Sequence, residues 1–421
     1  KHMIKDINIF KETIRINQVS REDTLEAQVK KIINRVKEAG DDALRYYTKK
    51  FDKTSIPSFQ VTAEDISNAY TLVSMPIIES MKKAMENIKK YHRYQKYQTF
   101  EYEIDGKVIG QKVTPIEKVG LYIPGGTAAY PSTVLMSAIP AMIAGVKDIV
   151  LISPPNKEGR IAPSILVAAN ILGITNIYKV GGAQGIAALA YGTQSIPKVD
   201  KIVGPGNQYV ATAKKLVSGI VGIDTIAGPS EVVIFADAYA NPTYIAADML
   251  AQAEHDTQAK SICISTSQEV LDQVEKEIFR QLQSLSRASI ARQSIEAFGA
   301  LLYVSSVEEG IALIHDIAPE HLELLCEDAW NIKDKIQHAG AIFIGPYTPE
   351  PVGDYLAGPN HTLPTSGTAR FSSGLSTYDF LKRTSYVMYA KEAFLNDQQD
   401  IINMAEEEQL TGHANSIKVR R

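Results

Sequence analysis

Apolar and polar positions recur with a helical period over most of the first hundred residues. In residues 24–39 (TLEAQVKKIINRVKEA) the apolar side chains fall three or four positions apart on one helical face, and Gly40 follows as a stop signal. A second periodic region, roughly residues 63–95, opens with Thr62 as a helix cap. The pattern therefore predicts a helix and a second long helical region before residue 100.

Near residue 100, short apolar runs replace the helical period. FEYEIDGKVIGQKV alternates on both sides of Asp105-Gly106, which predicts a β-hairpin. From residue 119 onward, short strands alternate with helical stretches, which implies βαβ crossovers and a parallel, doubly wound α/β sheet. The predicted strands are residues 119–124, 148–153, 176–180, 201–204, 232–237, 261–265, 301–305 and 341–345, and the first helices between them are near 132–145, 163–172, 183–190 and 207–217.

Two such α/β units are expected, with boundaries near residues 120 and 235. A chain of 421 residues is long for one domain and is sufficient for more than one core. The last part of the chain, about 45 residues, is predicted to be helical and polar, without an evident core of its own. We therefore expect this part to dock on another surface, such as a partner subunit.

The composition argues against several classes of protein. With 45% hydrophobic and 22% charged residues and a net charge of −4, the chain is unlike a nucleic-acid binder held by a basic face, so the run NIKKYHRYQKY is interpreted as a solvated helix face. No apolar run reaches the roughly 18 residues that a membrane span needs. The two cysteines, Cys263 and Cys326, lie inside apolar runs, which indicates buried thiols in a reducing compartment and favours a cytoplasmic protein.

Glycine turns follow several predicted strands, where ligands of doubly wound sheets bind and backbone can approach a phosphate. The turns are Pro124-Gly125-Gly126, Gly181-Gly182-Ala183-Gln184, Gly204-Pro205-Gly206-Asn207 and Gly228-Pro229-Ser230. Each turn alone is explained by a plain strand-to-helix connection, whereas four together favour a bound ligand. The G-x-G-x-x-G fingerprint with a downstream acidic residue is absent, so a standard dinucleotide fold is not demonstrated.

Four of the eight histidines have unusual neighbours. They stand in the segments AEHD (His255), APEHLE (His321), GPNHTLPT (His361) and TGHAN (His413). A single buried histidine is usually a core residue with satisfied hydrogen bonds. Four of them among carboxylates, glycines and prolines favour a functional site instead.

Gln252 and His255 are three positions apart, project from one helical face and could hold the same metal ion. Asp354 is a candidate for a third ligand and His413 for a fourth. Such a set differs from the thiolate cages of structural zinc and suits the polarisation of a substrate. From spacing alone, an amide bonded to helix backbone remains the simpler explanation of Gln252.

Glu320-His321 pairs a carboxylate with an imidazole that titrates near neutral pH, which indicates general acid/base chemistry. On a helix the two side chains would point about 100° apart and could serve two different steps. The alternative is that Pro319-Glu320 simply begins a helix, because a glutamate is favourable in the first turn.

Taken together, these motifs resemble those of histidinol dehydrogenase along nearly the whole chain, a far more specific signal than one glycine loop. The segments that carry the resemblance are VGLYIPGGTAAYPSTVLM, KVGGAQGIAALAYGT, DKIVGPGNQYV, AGPSEVVIFAD, LAQAEHD, APEHLE, AGAIFIGPYTPEPVGDYLAGPNHTLPT and LTGHANS. The resemblance implies an intertwined homodimer of two incomplete Rossmann-like units with extended helical N- and C-terminal segments. It also implies the oxidation of L-histidinol through L-histidinal to L-histidine, the last steps of histidine biosynthesis, with two NAD+ and one zinc per subunit.

The resemblance further implies roles for individual residues. The implied zinc ligands, which also contact the substrate, are Gln252, His255, Asp354 and His413, with His413 coming from the neighbouring subunit. The implied acid/base residues are Glu320 and His321, of which His321 also contacts the substrate. Further substrate contacts are Ser230, His361 and Glu408, and the NAD contacts are Tyr122, Gln184 and Asn207.

Four segments are expected on this basis. Residues 1–17 form an N-terminal arm, and residues 18–120 with 232–375 form a discontinuous first α/β domain that carries the metal and acid/base residues. Residues 121–231 form a second Rossmann-like domain on the NAD side, and residues 376–421 reach the partner subunit.

Two other functions stay open at this point. The first is a dehydrogenase of the same family that acts on another small diol, such as a sulfonated one. The second is a zinc hydrolase in which Glu320 activates metal-bound water and the glycine turns are only structural. His361, Glu408 and the four metal positions favour histidinol, because these groups would recognise an imidazole and an amine. Dependence on a nicotinamide cofactor would exclude the hydrolase.

Overall fold

The computed structural model describes Met3, Phe10 and residues 22–125, 129–226 and 228–420. Apart from Met3 and Phe10, the expected N-terminal arm of residues 1–17 lies outside the described residues, as does Gly126 of the first predicted glycine turn. The chain forms two five-stranded sheets and one three-stranded sheet. Both five-stranded sheets are parallel, which confirms the predicted α/β class.

The N-terminal part of the described chain is helical. It comprises α1 (Glu22–Ala39), α2 (Asp41–Tyr47), a π-helical turn (Thr48–Asp52), α3 (Ala63–Leu72) and α4 (Met75–His92). The prediction of a helix at 24–39 is confirmed, as is the Thr62 cap, which exchanges hydrogen bonds with Asp65. The helical region expected at 63–95 is confirmed as two helices: Val73 and Ser74 between them adopt extended backbone, and Pro76 lies in the first turn of α4.

The predicted hairpin is confirmed by the antiparallel strands β1 (Phe100–Ile104) and β2 (Lys107–Pro115), joined at Asp105-Gly106. Both turn residues have positive φ, of 50° and 72°, as a two-residue hairpin turn requires.

The first sheet lies between the hairpin and residue 223, with strand order β5-β4-β3-β6-β7. Its elements are β3 (Lys118–Tyr122), α5 (Pro131–Ala144), β4 (Asp148–Ser153), α6 (Pro163–Ile171), β5 (Asn176–Lys179), α7 (Gly182–Tyr191), β6 (Lys201–Val203), α8 (Gln208–Val217) and β7 (Gly222–Ile223). The first strand, β3, is central. The chain adds β4 and β5 on one side of it and then β6 and β7 on the other. The order of connection therefore reverses between β3 and β6, where open α/β sheets bind ligands.

The second sheet repeats this plan, with strand order β10-β9-β8-β11-β12. Its elements are β8 (Glu231–Ala236), α9 (Pro242–Ala253), β9 (Lys260–Ser265), α10 (Gln268–Gln281), α11 (Ala288–Phe298), β10 (Ala300–Tyr303), α12 (Val307–Ile317), β11 (His321–Leu325), α13 (Ala329–Ile332), β12 (Ala341–Ile344) and α14 (Glu350–Tyr355). The described strands include β11, which the sequence pattern did not predict. Glu320-His321 therefore leads into a strand, and the alternative of a helix beginning at Pro319-Glu320 is wrong.

The C-terminal part consists of β13 (Leu381–Tyr389), α15 (Lys391–Glu407) and α16 (Thr411–Lys418). The helical prediction for this part is wrong at β13, which pairs antiparallel with β2 along nine residues. The two helices share a small buried cluster of Ile402, Ala405 and Ala414. Short 3-10 helices occur at Leu282–Ser284, Lys333–Lys335, Thr368–Arg370 and Thr377–Phe380. Among the described helices, none combines the length and the apolar character needed to cross a bilayer.

The helices α1 to α4 pack on the first sheet. Val29 and Leu44 share a core with Ile186 of α7, and Ile78 and Ile88 share another with residues of α5. The expected grouping of residues 18–120 with 232–375 differs from this packing, because the apolar faces of these helices are buried against the other sheet. Met3 and Phe10 do belong to the cores of the second sheet.

Candidate active site

A stripe of polar side chains crosses one face of the second sheet. Along β11 the side chains alternate, so that Leu322 and Leu324 enter the core on one side while His321 and Glu323 face the other. Two helices supply polar residues four positions apart to the same side. These residues are Asp248 and Gln252 from α9, and Glu350 and Asp354 from α14.

Hydrogen bonds connect this stripe from one element to the next. Glu323 Oε1 accepts a hydrogen bond from Glu350 N at 2.8 Å, and burial, then the charge of Asp248, raises the pKa of Glu323 well above its usual value. The Gln252 amide lies against the Glu350 carboxylate, and His321 Nε2 lies 3.9 Å from Glu350 Oε1. Helix and strand periods thus bring carboxylates, an amide and an imidazole from distant parts of the sequence together.

One end of the stripe could hold a metal ion. Ligand atoms of His255, Glu350 and Asp354 all lie within 4.8 Å of one another. With its nitrogen toward Glu350, Gln252 donates hydrogen bonds of 2.9 and 3.3 Å to the two carboxylate oxygens. In the opposite orientation the amide oxygen of Gln252 faces the two Glu350 oxygens, so three hydrogen-bond acceptors lie together. A spacing of about 3 Å is expected between neighbouring ligand atoms of one metal ion that lies about 2.1 Å from each. The second orientation needs a cation, so the donor set fits the implied zinc.

Three of the four predicted metal ligands meet here, namely Gln252, His255 and Asp354. Glu350 was missed, although its spacing of four residues from Asp354 in PEPVGD was a readable signal. The fourth predicted ligand, His413, is exposed on α16 and does not join this group. Glu408, a predicted substrate contact, is exposed at the end of α15.

His321 carries a proton acceptor that is buried and free. Its Nδ1 lies 3.0 Å from the carbonyl oxygen of Glu231, which can only accept, so Nδ1 bears the ring proton. Nε2 is then unprotonated, and it is buried without a hydrogen-bond partner among the residues that the structure describes. Burial lowers the pKa of His321, with Asp354 opposing it, so the imidazole is neutral at neutral pH. Nε2 is therefore prepared to take a proton.

The pKa of Glu320 is shifted in the opposite direction to that of His321. Burial raises its pKa well above the usual value, and the carboxylates of Glu231, Glu350 and Asp354 raise it further, although the hydrogen bond from Glu231 N to Glu320 Oε2 opposes them. Glu320 keeps its proton to a higher pH than an exposed glutamate, and its Oε2 lies 3.7 Å from His321 Nδ1. Burial therefore raises the pKa of the acid and lowers that of the base, which favours the neutral form of both neighbouring groups.

This group occupies the amino ends of the second sheet, not the carboxyl ends where the sequence analysis expected ligands. His321 is the first residue of β11, and Glu231 is the first residue of the neighbouring β8. The buried Glu231 carboxylate accepts a hydrogen bond from Ser366 N and lies 3.5 Å from Lys260 Nζ. Ser230, a predicted substrate contact, directly precedes Glu231 at this edge.

His361 connects the stripe to the first sheet. Its Nδ1 lies 3.2 Å from the Asp354 carbonyl oxygen, and its Nε2 lies 3.4 Å from Thr133 Oγ1 in the first turn of α5. Burial lowers the pKa of His361 to about 4. A cavity lies beside it, lined by Phe343, Asp354 and Asn360 among others. The amino edge of the second sheet thus adjoins the carboxyl edge of the first.

The predicted NAD contacts lie at that carboxyl edge. Tyr122 ends β3, and its hydroxyl accepts a hydrogen bond from Gly182 N at 3.3 Å. Burial raises the pKa of Tyr122 to about 12, so the hydroxyl keeps its proton. Gln184 is buried in the first turn of α7. Asn207 caps α8 by accepting hydrogen bonds from two backbone N–H groups, which is a structural role independent of any cofactor.

The glycine turns converge at the same edge. A Cβ atom at Gly125 or at Gly181 would meet the side chain of Pro154, so the ends of three neighbouring strands are packed together. Gly204 has a φ of +118° and lies against the Tyr122 carbonyl, where no side chain fits.

This edge also contains buried polar atoms without hydrogen-bond partners. Within the described ranges they include Thr48 Oγ1, Asp52 Oδ2, Ser153 Oγ and Gln184 Oε1. Because buried polar groups are nearly always hydrogen-bonded, such atoms have hydrogen-bonding capacity left for a bound polar molecule. The set fits the implied dinucleotide, which carries hydroxyl and amide groups.

Comparisons with known proteins identify the family of the chain. A family model described as histidinol dehydrogenase matches residues 16–421. A histidinol dehydrogenase of Bacillus cereus is 52% identical over 421 residues, covering 100% of this chain and 97% of the relative. One of Clostridium acetobutylicum is 52% identical and covers 93% of this chain and 91% of the relative. A crystal structure of histidinol dehydrogenase from Elizabethkingia anophelis superposes with a TM-score of 0.93 at 41% identity, covering 100% of this chain and 97% of that one.

Proposed function

The chain belongs to the histidinol dehydrogenase family of NAD-dependent oxidoreductases, and from this premise we propose that it oxidises L-histidinol through L-histidinal to L-histidine with two NAD+. One observation carries the proposal: the buried, unpartnered Nε2 of His321 beside a group of metal-capable side chains. A neutral imidazole in this position is suited to deprotonate an alcohol.

We propose that Gln252, His255 and Asp354 hold one zinc ion, with His413 supplied by a second copy of the chain. The exposure of His413 on α16, outside the group formed by the other ligands, supports this sharing. Zinc would supply a positive charge that binds the imidazole and amine of the substrate and orients its carbinol carbon. Glu350 would face the same ion, because its carboxylate lies against the Gln252 amide and within 4.8 Å of ligand atoms of His255 and Asp354.

In the first oxidation, His321 Nε2 would take the hydroxyl proton while a hydride leaves the carbinol carbon. The nicotinamide ring supplies the hydride acceptor for both oxidations. Tyr122, Gln184 and Asn207 would contact the dinucleotide at the carboxyl edge of the first sheet. The proton on Nδ1, donated to the Glu231 carbonyl, keeps Nε2 as the acceptor.

In the second oxidation, water would add to the aldehyde, and Glu320 would exchange a proton with that water. The hydrate would then lose a hydride from carbon and a proton from oxygen, which leaves the carboxylic acid. Ser230, His361 and Glu408 would contact the substrate during both steps. Burial of Glu320 and His321 supports the exclusion of bulk water, which retains the aldehyde between steps.

We further propose a homodimer in which residues 376–421 reach the partner subunit. The exposed positions of Glu408 and His413 support this arrangement, since both would otherwise be far from any substrate role. Histidine biosynthesis and the two free, at least partly buried cysteines support a cytoplasmic location.

The reaction is tested by counting NADH formed per L-histidinol consumed by the zinc-loaded protein. We expect two NADH per substrate, loss of the signal with a chelator, and its recovery with zinc. One NADH per substrate would contradict the second oxidation. NADH formation with another diol but not with histidinol would change the substrate, and nicotinamide-independent hydrolysis would overturn the proposal.

A further inference from the structure

The first sheet lacks the acidic residue with which dinucleotide-binding folds hold a ribose. In such folds an Asp or Glu follows the second strand of the unit and binds the ribose hydroxyls. Here β4 is the second strand, and it is followed by Pro154-Pro155-Asn156. The nearest acid along that loop, Glu158, is exposed to solvent.

A carboxylate reaches this edge from a different part of the chain. Asp52 is the last residue of the π-helical turn Thr48–Asp52, and Lys53 after it has a left-handed backbone with a φ of 59°. Single π-helical turns are frequent at functional sites. The segment that follows borders the first sheet, since Lys179 N donates to Phe59 O and Val61 N donates to Ile177 O.

Asp52 lies close to the proposed cofactor contacts. Tyr47 and Phe59, on either side of Asp52 in the chain, pack in one buried cluster with Tyr122 and Ala183. The hydroxyl of Tyr122 accepts a hydrogen bond from Gly182 N, and the Asp52 charge adds to the effect of burial in raising the pKa of this phenol. Asp52, Tyr122 and the start of α7 are therefore neighbours at the carboxyl edge, beside the reversal of strand order between β3 and β6.

The Asp52 carboxylate has no stabilising partner within the described residues. Its Oδ2 is buried without a hydrogen bond, and burial alone raises the pKa of Asp52 to about 6. Thr48 Oγ1, one turn earlier, and Gln184 Oε1, two residues after Gly182, are also unpartnered. A carboxylate and an amide oxygen accept hydrogen bonds, so a ligand with hydroxyl donors would satisfy them.

We infer that Asp52 binds a ribose hydroxyl of the dinucleotide and makes the site select NAD(H) over NADP(H). The inference rests on the proposed function and adds a cofactor-binding residue to it. A carboxylate that accepts a hydrogen bond from a hydroxyl repels a phosphate at the same position. Asp52 thus takes the place of the acid that usually follows the second strand, although Asp52 comes from outside the sheet.

The test measures binding and needs no turnover. The zinc-loaded full chain is titrated with NADH and with NADPH without any alcohol, and the fluorescence of the reduced nicotinamide is followed. We expect the unmodified chain to prefer NADH by roughly tenfold or more, the value of one hydrogen bond to a charged group. Asp52→Asn should weaken NADH binding by about the same factor and remove the preference.

Glu158→Gln is the matched control, because it removes an exposed carboxylate from the same edge and should leave both affinities unchanged. Asp52→Ala removes the acceptor completely and should behave like Asp52→Asn. Thermal melting separates binding from folding, and both variants should melt no lower than the parent because they remove a buried, unpartnered carboxylate.

If folded Asp52→Asn and Asp52→Ala retained the NADH preference, the inference would be overturned and the proposed function would stand. Failure of both variants to fold would assign Asp52 a structural role and would overturn it as well. Failure of the unmodified chain to bind either nucleotide would overturn the proposed function, and the inference with it.

Discussion

The two parallel sheets have the same strand order but concentrate their polar side chains at opposite ends. The first sheet presents glycine turns and few charges at its carboxyl ends, whereas the second presents Glu231, Glu320 and His321 at its amino ends. Strand order alone would predict ligands at the carboxyl ends of both sheets. The difference shows that topology provides the crevices, while buried side chains decide which crevice performs chemistry.

The two regions also differ in how much free energy the burial of their polar groups costs. At the first sheet, the close contacts are made mostly by glycine backbone, Pro154 and Tyr122. At the second sheet, burial first and neighbouring carboxylates next raise the pKa values of Glu350 to about 8 and Asp354 to about 7. Adjacent buried carboxyl groups are unfavourable when all are ionised, and a cation would relieve that repulsion.

The largest effect is expected from His321→Asn at the second sheet. Loss of a general base should lower the rate of alcohol oxidation by roughly 10²- to 10⁴-fold. Zinc content and NADH affinity should be unchanged, because neither the metal ligands nor the first sheet is altered. Steady-state rates and metal analysis check both points, with substitution of the half-buried His338 by Asn as the control. Zinc loss in His321→Asn would make it a structural residue of the metal site.

His255→Ala should separate metal binding from cofactor binding. Removal of a direct ligand should weaken zinc binding by more than the roughly 10- to 100-fold that loss of a supporting hydrogen bond costs. Competition with a fluorescent zinc chelator measures this change, and NADH titration should show the first sheet intact. Full zinc affinity in this variant would exclude His255 from the site.

Gly204→Ala should damage the first sheet and spare the second. The new Cβ would clash with the Tyr122 carbonyl at a φ of +118°, which should lower the free energy of unfolding by about 2–4 kcal/mol. Urea unfolding measures the loss. Gly173→Ala is the control, since its φ of +75° is also positive but no atom lies within 4 Å of its Cβ position. Equal losses in both variants would attribute the effect to backbone strain alone.

The smallest and most graded effect is the pH dependence of stabilisation by zinc. The pKa of Glu350 is raised from 4.5 to about 8 in the fold, so its ionisation destabilises the metal-free protein increasingly as pH rises between these values. Asp354 acts in the same direction between 3.8 and about 7. Zinc replaces these protons, so the rise in melting temperature on adding zinc should grow from pH 5 to pH 8. A rise that is constant over this range would mean that the carboxylates do not bind the ion.

The sequence predicted apolar strands well and mixed strands poorly. The runs DIVLIS and AIFIG contain the uninterrupted apolar segments IVLI and AIFI and were identified, because a strand buried on both faces needs no polar position. HLELL was missed, since Glu323 faces the polar stripe and interrupts the apolar run. β13 was missed because its nine residues are mostly exposed and gain order by pairing with β2.

In the candidate site, some residues could be predicted from their spacing in the sequence. Others are brought together only by contacts between distant parts of the chain. LAQAEHD marked Gln252 and His255 in the sequence, although the expected shared helical face is wrong for His255, which lies in the turn after α9 ends at Ala253. Glu231 and Glu323 gave no comparable signal, because their burial depends on strands and helices distant in sequence. Asp52 is separated by 70 residues from Tyr122, on which its charge acts, and only the fold brings the two together.

The central claim is that the amino edge of the second sheet and the carboxyl edge of the first form one site. It is tested most directly by loading the protein with paramagnetic Mn²⁺ in place of zinc and recording NMR relaxation of the nicotinamide protons of bound NAD+. We predict strong relaxation of these protons, beyond that of the same complex loaded with zinc, because the hydride acceptor must lie near the metal-held substrate. Nicotinamide relaxation unaffected by Mn²⁺, with both the metal and NAD+ bound, would contradict a shared site.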